Sequence, residues 1–279
     1  MTYREAIELG AGALSKAQID NPDLDAWYLL QMVCRIERSF YYLHEEEPLT
    51  MEQQKEFEIA IQKRAERIPL QYIIGEQEFM GLSFKVNSNV LIPRQDTETL
   101  VEEALKVCHS GMRVLDLCTG SGCIIISLMK NAPGIIGVGS DNSKQALLVA
   151  KENGKTHEAD IEWVRSDLFD NITEKYDLIV SNPPYIPTAD IAGLMPEVRD
   201  FEPFDALDGH EDGLYFYREI IGQSEDYLEP GGYLYLEIGY DQGEAVSRLM
   251  REAGFTEIEV VRDLAGLDRV VKGKGKNNV

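Results

Sequence analysis

Apolar side chains recur at helical spacing through the first 68 residues. Ala26, Leu29, Leu30, Val33 and Ile36 share one face of a 3.6-residue repeat, and Phe57, Ile59, Ala60 and Ile61 mark another. Asp20-Asn21-Pro22-Asp23 reads as a helix start, because proline is tolerated in a first turn, where its missing N–H is not needed. Thr50 to Gln53 has capping-box spacing, a hydroxyl followed three residues later by an amide. The acidic stretch from His44 to Pro48 breaks the two helical patterns apart. A small helical bundle is predicted over residues 1–68, with substrate recognition as its role. Residues 69–92 change character. Gln71-Tyr72-Ile73-Ile74-Gly75 and the stretch Phe79 to Val86 alternate apolar and polar with glycine punctuation, which predicts a hairpin or strand-rich connector.

From residue 93 onward, strand-like and helix-like runs alternate. Strands are predicted at Arg113–Leu117, Ile135–Gly139, Ile161–Val164, Tyr176–Ser181, Gly232–Ile238, Glu257–Val261 and Arg269–Lys272. Helical runs such as Ile124–Met129, Lys144–Asn153 and Leu214–Tyr227 lie between them. This is the pattern of a doubly wound α/β sheet, here spanning 93–279. The basic tail from Lys272 to Val279 is predicted to fray.

Composition alters this picture little. Of 279 residues, 44% are hydrophobic and 27% charged, which is ordinary for a globular protein. No apolar run reaches the ~18 residues that a membrane span needs, and Met1 to Ala6 lacks the basic start and apolar core of a signal peptide. A cytoplasmic location with no membrane partner is predicted. Cys34, Cys108, Cys118 and Cys123 form no CxxC pair, and the four histidines add no ligand spacing. Reduced thiols and no metal are expected. Charge matters more. With 49 acidic against 27 basic residues, the formal net charge is −22, a field that repels phosphate backbones. No direct nucleic-acid partner is expected.

Candidate chemistry gathers at the predicted strand ends. Asn182-Pro183-Pro184-Tyr185 follows the run Tyr176–Ser181, and open α/β sheets place their ligands at such carboxyl ends. An amide or exocyclic amine nitrogen is a poor nucleophile because its lone pair is delocalised. Two acceptors gripping its N–H bonds turn that lone pair out of plane. The Asn182 side-chain carbonyl and the Pro183 backbone carbonyl can be those acceptors, the prolines stiffen the turn, and Tyr185 can stack on a flat group. Asn and Pro also make plain turns, so the motif needs a methyl donor site beside it.

Asp116-Leu117-Cys118-Thr119-Gly120-Ser121-Gly122 supplies a glycine-rich turn after the first strong strand. Alone, such a turn fits a nicotinamide enzyme equally well. Asp141, at the end of the next strand, can bind ribose hydroxyls or cap the helix that follows. Asp167, before Leu168 at the third strand's end, can accept from an adenine amino group. Three successive strand-end signals fit a nucleoside ligand. With the Asn182–Tyr185 motif at the fourth strand, they fit S-adenosyl-L-methionine best.

The chain resembles the HemK/PrmC-type protein-glutamine methyltransferases. The likeness rests on Gln71–Gly75, Leu91-Ile92-Pro93-Arg94-Gln95-Asp96-Thr97-Glu98, Asp116–Gly122, Asn182–Tyr185, Asp212-Gly213-Leu214 and Leu236-Glu237-Ile238-Gly239-Tyr240-Asp241-Gln242-Gly243. It implies a seven-stranded S-adenosylmethionine-dependent, Rossmann-like methyltransferase domain behind a helical bundle and hairpin. It also implies methyl transfer to the glutamine amide in the Gly-Gly-Gln motif of class I peptide chain release factors, in translation termination. By the same resemblance, Cys118, Thr119, Gly120, Ser121 and Gly122 hold the methionine end of the donor, Asp141 its ribose, and Asp167 with Leu168 its adenine, and Asn182 also borders the donor. Asn182, Pro183, Pro184 and Tyr185 hold the glutamine, with Asn182, Pro183 and Tyr185 as the catalytic set, and Thr97 and Glu98 line the site. Two residues depart from the family pattern: Cys118 stands in place of a glycine, and Gln95 in place of a proline, which predicts a looser turn. An adenine-amine methyltransferase acting on DNA or RNA is the alternative, since it uses the same four residues on a flipped base.

Overall fold

The computed structural model describes residues 1–276, which form two compact units. The first comprises Met1–Glu76 together with Met195–Phe201, and the second Gln77–Leu194 with the chain from Glu202 onward.

The first unit packs α1 (Tyr3–Lys16), α2 (Pro22–Cys34), α3 (Arg38–His44), α4 (Met51–Ala65) and α5 (Leu70–Ile74). Asn21 precedes α2 with proline at its first turn, and Thr50 caps α4 reciprocally with Gln53, as the spacing predicts. Leu14, Ala26, Leu29, Leu30 and Phe57 are fully or almost fully buried at its centre. Ile59 instead faces solvent, because the buried face of α4 runs through Phe57, Ala60, Ile61 and Arg64. The connector expectation needs correction at Gln71–Ile74, which is helix. Leu70, Ile73 and Ile74 recur at i, i+3 and i+4 and pack on the helical core, so burial decides against a strand.

In the second unit, β1 (Glu76–Phe79) and β2 (Leu82–Lys85) form the predicted hairpin. α6 (Glu98–Leu105) leads into β3 (Arg113–Leu117), α7 (Cys123–Asn131), β4 (Ile136–Asp141), α8 (Lys144–Thr156), β5 (Ile161–Arg165) and β6 (Tyr176–Ser181). The six-residue α9 (Pro196–Phe201) belongs to the first unit. The chain then returns through α10 (Tyr215–Tyr227), β7 (Leu228–Glu237), α11 (Gly243–Ala253), β8 (Thr256–Arg262) and β9 (Asp268–Lys274).

The seven strands run in the order β5-β4-β3-β6-β7-β9-β8, with β9 antiparallel to both neighbours and the rest of the pairings parallel. Strand alternation feeds two apolar layers. Val114, Leu178 and Val180 face one with α6 and α7, while Leu115, Ile179 and Leu234 face the other with α10 and α11. The predicted tail needs correction too. Lys272 and Lys274 lie in β9, held by Val270 and Val271 in the core and by ion pairs of Lys272 with Glu103 at 2.8 Å and Glu259 at 2.9 Å. Asn277 to Val279 fall outside the described residues. Among the described residues, no helix is long and apolar enough to cross a membrane.

The topology creates one reversal. From β3 the chain moves outward to β4 and β5, then crosses back to β6 on the other side of β3. The carboxyl ends of β3 and β6 therefore diverge into opposite loops and leave a crevice between them.

Candidate active site

Register places the predicted residues around that crevice. Leu117 pairs with both Ser140 and Ser181, so Cys118, Asp141 and Asn182 each follow a residue of one aligned row. Ser181 Oγ donates to the Leu117 carbonyl at 2.7 Å and ties the two strand ends together. A cleft opens there, lined from the ends of β3, β4, β5 and β6. Cys118, Thr119, Gly120, Ser121, Asp141, Asp167, Leu168, Asn182 and Pro184 all line it. Gly122, Pro183 and Tyr185 do not.

The loop after β3 is built by its acids. Asp116 is buried and accepts from the Thr119 hydroxyl at 2.6 Å on Oδ2, while its Oδ1 has no hydrogen-bond partner. Burial pushes its pKa up to about 7, opposed by the Thr119 bond and helped by the charge of Asp141. Asp141 receives the Gly120 N–H on Oδ2 and the Ser143 N–H on Oδ1, both at 2.9 Å. It does not cap α8; Ser143 does, accepting from the Ala146 N–H. Each Asp141 oxygen thus keeps a free lone-pair direction for a ligand hydroxyl. Burial raises its pKa, with the two backbone donors opposing.

Gly122 has φ +81°, and a Cβ there would come within 2.9 Å of the Trp163 ring, so only glycine fits. Cys118 has φ +58°, the left-handed conformation in which a Cβ is strained. Burial and the neighbouring Asp141 carboxylate push its thiol pKa far up, which disfavours a thiolate nucleophile. All four cysteines are free.

At the end of β6, Asn182 Nδ2 donates to Thr97 Oγ1 at 3.3 Å. That bond uses the nitrogen side of the amide and leaves Oδ1 as a free acceptor. The turn carrying Thr97 is closed despite Gln95: Gln95–Thr97 is a 3-10 turn, with the Thr97 N–H bonded to the Arg94 carbonyl at 3.1 Å. The looser turn expected from the missing proline is therefore not found. Glu98 does not face the cleft. Its carboxylate accepts the Met80 N–H of the hairpin at 2.7 Å, because Met80 sits in a tight turn at φ +51°.

Tyr185 is fixed from behind. Gln242 Nε2 donates to the Tyr185 carbonyl at 3.0 Å and to the Gly213 carbonyl at 3.2 Å, while its Oε1 accepts from the Gly239 N–H at 2.9 Å. At Gly213 a Cβ would stand 2.4 Å from the Tyr185 carbonyl oxygen. This joint explains why the Asp212–Leu214 and Leu236–Gly243 stretches accompany the Asn182–Tyr185 motif.

Sequence reasoning missed the far wall, formed by Pro203, Asp205, Ala206 and Phe216, and the guanidinium of Arg94. Arg94 pairs with the buried carboxylate of Glu202, which also accepts the Ile92 N–H at 3.3 Å. No local period marks a contact made across 108 residues of chain.

Comparison with known proteins bears on the same two regions. Residues 5–75 match the PrmC N-terminal domain, and residues 95–193 match the methyltransferase small domain. The chain is 42% identical to the release factor glutamine methyltransferase of Geobacter sulfurreducens over 274 residues, covering 98% of this chain and 96% of that protein. A methyltransferase structure from Pyrococcus furiosus shares the fold at 13% identity and a TM-score of 0.56, over 77% of this chain and 98% of that one. The Thermus thermophilus 16S rRNA N2 G1207 methyltransferase, solved with AdoMet and guanosine, shares it at 16% identity and a TM-score of 0.52, over 72% of this chain and 50% of that one.

Proposed function

The chain belongs to the release factor glutamine methyltransferases, and on that premise we propose that it methylates the Gly-Gly-Gln glutamine amide of class I release factors in the cytoplasm, using S-adenosyl-L-methionine. The observation that carries this reading is the Asn182 amide, turned by Thr97 so that Oδ1 is free at the edge of the cleft that the strand-end residues line. The loop Cys118–Gly122 supports the methionine end, Asp141 the ribose, and Asp167 with Leu168 the adenine. The free lone pairs of Asp141 and the open space beside the Gly120 Cα fit such a ligand.

When bound, the donor supplies an electrophilic methyl carbon. Asn182 Oδ1 and the Pro183 carbonyl accept the two N–H bonds of the substrate amide. They hold its nitrogen in line and stabilise the positive charge that grows there, the reverse of an oxyanion hole. Pro183 and Pro184 keep those acceptors stiff, and Tyr185, anchored by Gln242, bounds the motif. No side-chain base is required, because an alkylated amide nitrogen loses its extra proton readily to water.

The deciding experiment incubates the protein with labelled donor and either a purified release factor, duplex DNA or ribosomal RNA. Label on the release-factor glutamine is expected. Label on nucleic acid alone would replace this reading with adenine methylation.

Two further outcomes follow from the donor loop. Asp141→Ala should weaken donor binding by about 1.5–3 kcal/mol, the range for hydrogen bonds to a charged group. Calorimetry on the folded variant checks this; unchanged affinity would remove Asp141 from the donor site. Cys118→Gly should keep or raise activity and stabilise the fold by about 1 kcal/mol, because glycine relieves the positive φ. Lost turnover with intact donor binding would show that the thiol takes part.

A further inference from the structure

Thr97 meets Asn182 from a turn of only three residues, Gln95–Thr97. So short a 3-10 turn has few bonds of its own to fix it. Side chains tie it outward instead, at alternate positions. Arg94 pairs with Glu202, Glu98 accepts the Met80 N–H, and between them Asp96 meets the Arg269 guanidinium of β9 at 3.3 Å. Thr97 lines the cleft and Asp96 does not.

Arg269 does not need Asp96 to balance its charge. Its side chain is buried, and Asp263 just after β8 already faces it. Arg269 Nε donates to Asp263 Oδ2 at 3.1 Å, and Nη2 stands 3.1 Å from the same oxygen. Nη1 donates to the Ile238 carbonyl beyond β7 at 3.4 Å, and the Ile238 N–H returns a bond to the Arg269 carbonyl at 2.9 Å. Asp263 is itself held by the Ala265 and Leu267 N–H groups at 2.9 and 3.0 Å. The guanidinium is therefore fixed by the ends of β7, β8 and β9 before Asp96 is counted. Nη2 carries two protons, and the second one points a rigid donor at the turn. The Asp96 side chain is 55% exposed, and an ion pair with so wet a partner adds little to stability. What the contact supplies is a fixed place for the residue next to Thr97.

We propose that Asp96 is a positioning residue for methyl transfer: clamped by Arg269, it holds the turn that presents the Thr97 hydroxyl to the Asn182 amide. Asn182 Nδ2 donates to Thr97 Oγ1 at 3.3 Å, so a turn that drifts takes the amide with it and swings Oδ1 away from the substrate nitrogen. Alignment of that nitrogen with the methyl carbon is what the reaction depends on. The inference rests on the glutamine reading for its kinetic consequence and on the geometry alone for its structural one.

The test uses the full-length protein and a second way of stiffening the same turn. Asp96→Ala removes the tie and leaves Arg269 paired with Asp263. Gln95→Pro restores stiffness without charge. Gln95 opens the turn, where proline is tolerated and fixes φ, and Arg94 before it is extended at φ −98° and ψ 145°, as a residue preceding proline must be. The side-chain amide NMR signal of Asn182, assigned by its loss in Asn182→Ala, should move in Asp96→Ala. It should return toward its wild-type position in the Gln95→Pro, Asp96→Ala double variant. With a release factor as substrate, Asp96→Ala should lower kcat roughly 10-fold, part of the ~10²-fold that a 1 Å misplacement can cost. Donor affinity, KM and the thermal midpoint should barely change, and the double variant should regain most of the lost kcat.

An Asn182 signal unmoved in Asp96→Ala overturns the proposal, as does wild-type kcat. A double variant no better than Asp96→Ala overturns it too, since charge and not turn geometry would then be at work. So does a collapsed thermal midpoint, which would make Asp96 a support of the fold. Failure of the glutamine reading shows separately, as a wild-type protein that leaves the release factor unlabelled; the amide signal needs no substrate.

Discussion

Replacing Asn182 by alanine is expected to cut turnover roughly 10²–10³-fold, the loss seen when one preorganised electrostatic group is removed. Donor affinity should be almost unaffected. Thr97 loses its Asn182 donor, but most of the residues proposed to hold the donor lie at the β3, β4 and β5 ends. Single-turnover rates with a release factor, set beside calorimetric donor affinity, separate the two effects. A loss of affinity matching the loss of rate would make Asn182 part of the donor site only. An unchanged rate would remove it from the reaction. A peptide bearing the glutamine should show the same ratio between variant and wild type, since the lost acceptor acts on the amide and not on the partner's surface.

Legibility in the sequence followed the range of the forces involved. β3 and β6 were predicted to the residue, because a mostly apolar run between polar turns marks a buried strand even where Asp116 and Asp177 interrupt it. β7 begins at Leu228, four positions before the predicted start, since Glu229-Pro230-Gly231 carries turn residues that local rules read as a break. Gln71–Ile74 reads in sequence as part of a strand-rich connector, because so short an apolar run has no decisive period until the helical core claims it. The strand-end residues that line the cleft were visible because topology alone gathers them. Arg94 and Phe216 were not, because the groups they meet lie far along the chain. Membership of Met195–Phe201 in the helical unit was equally hidden.

That last feature carries the largest expected effect on stability. Arg64 is 7% exposed and donates to Asp25 at 2.7 Å, to Glu197 on α9 at 3.0 Å, and to the Ile68 carbonyl at 3.3 Å. Arg67 adds a second bond to Glu197 at 3.1 Å and one to the Gln18 carbonyl at 2.9 Å. Burial opposes the charge on Glu197, but its hydrogen bonds, with Arg64 and Arg67 among the donors, hold its pKa below the ordinary value. Arg64→Ala leaves Asp25 and Glu197 buried with one guanidinium fewer. Breaking a buried ion pair from one side costs about 3–5 kcal/mol, a large share of the ~5–15 kcal/mol that holds a domain folded. Because α9 is one body with α1–α5, hydrogen exchange should accelerate together over Met1–Glu76 and Pro196–Phe201, while β3 and β6 stay protected. Neutralising both acids as well, in an Arg64→Met, Asp25→Asn, Glu197→Gln variant, should recover much of the loss, since the cost lies in the orphaned charges. Exchange that rises in α2 and α4 but not in α9 would show that Glu197 is not what joins that helix to the bundle.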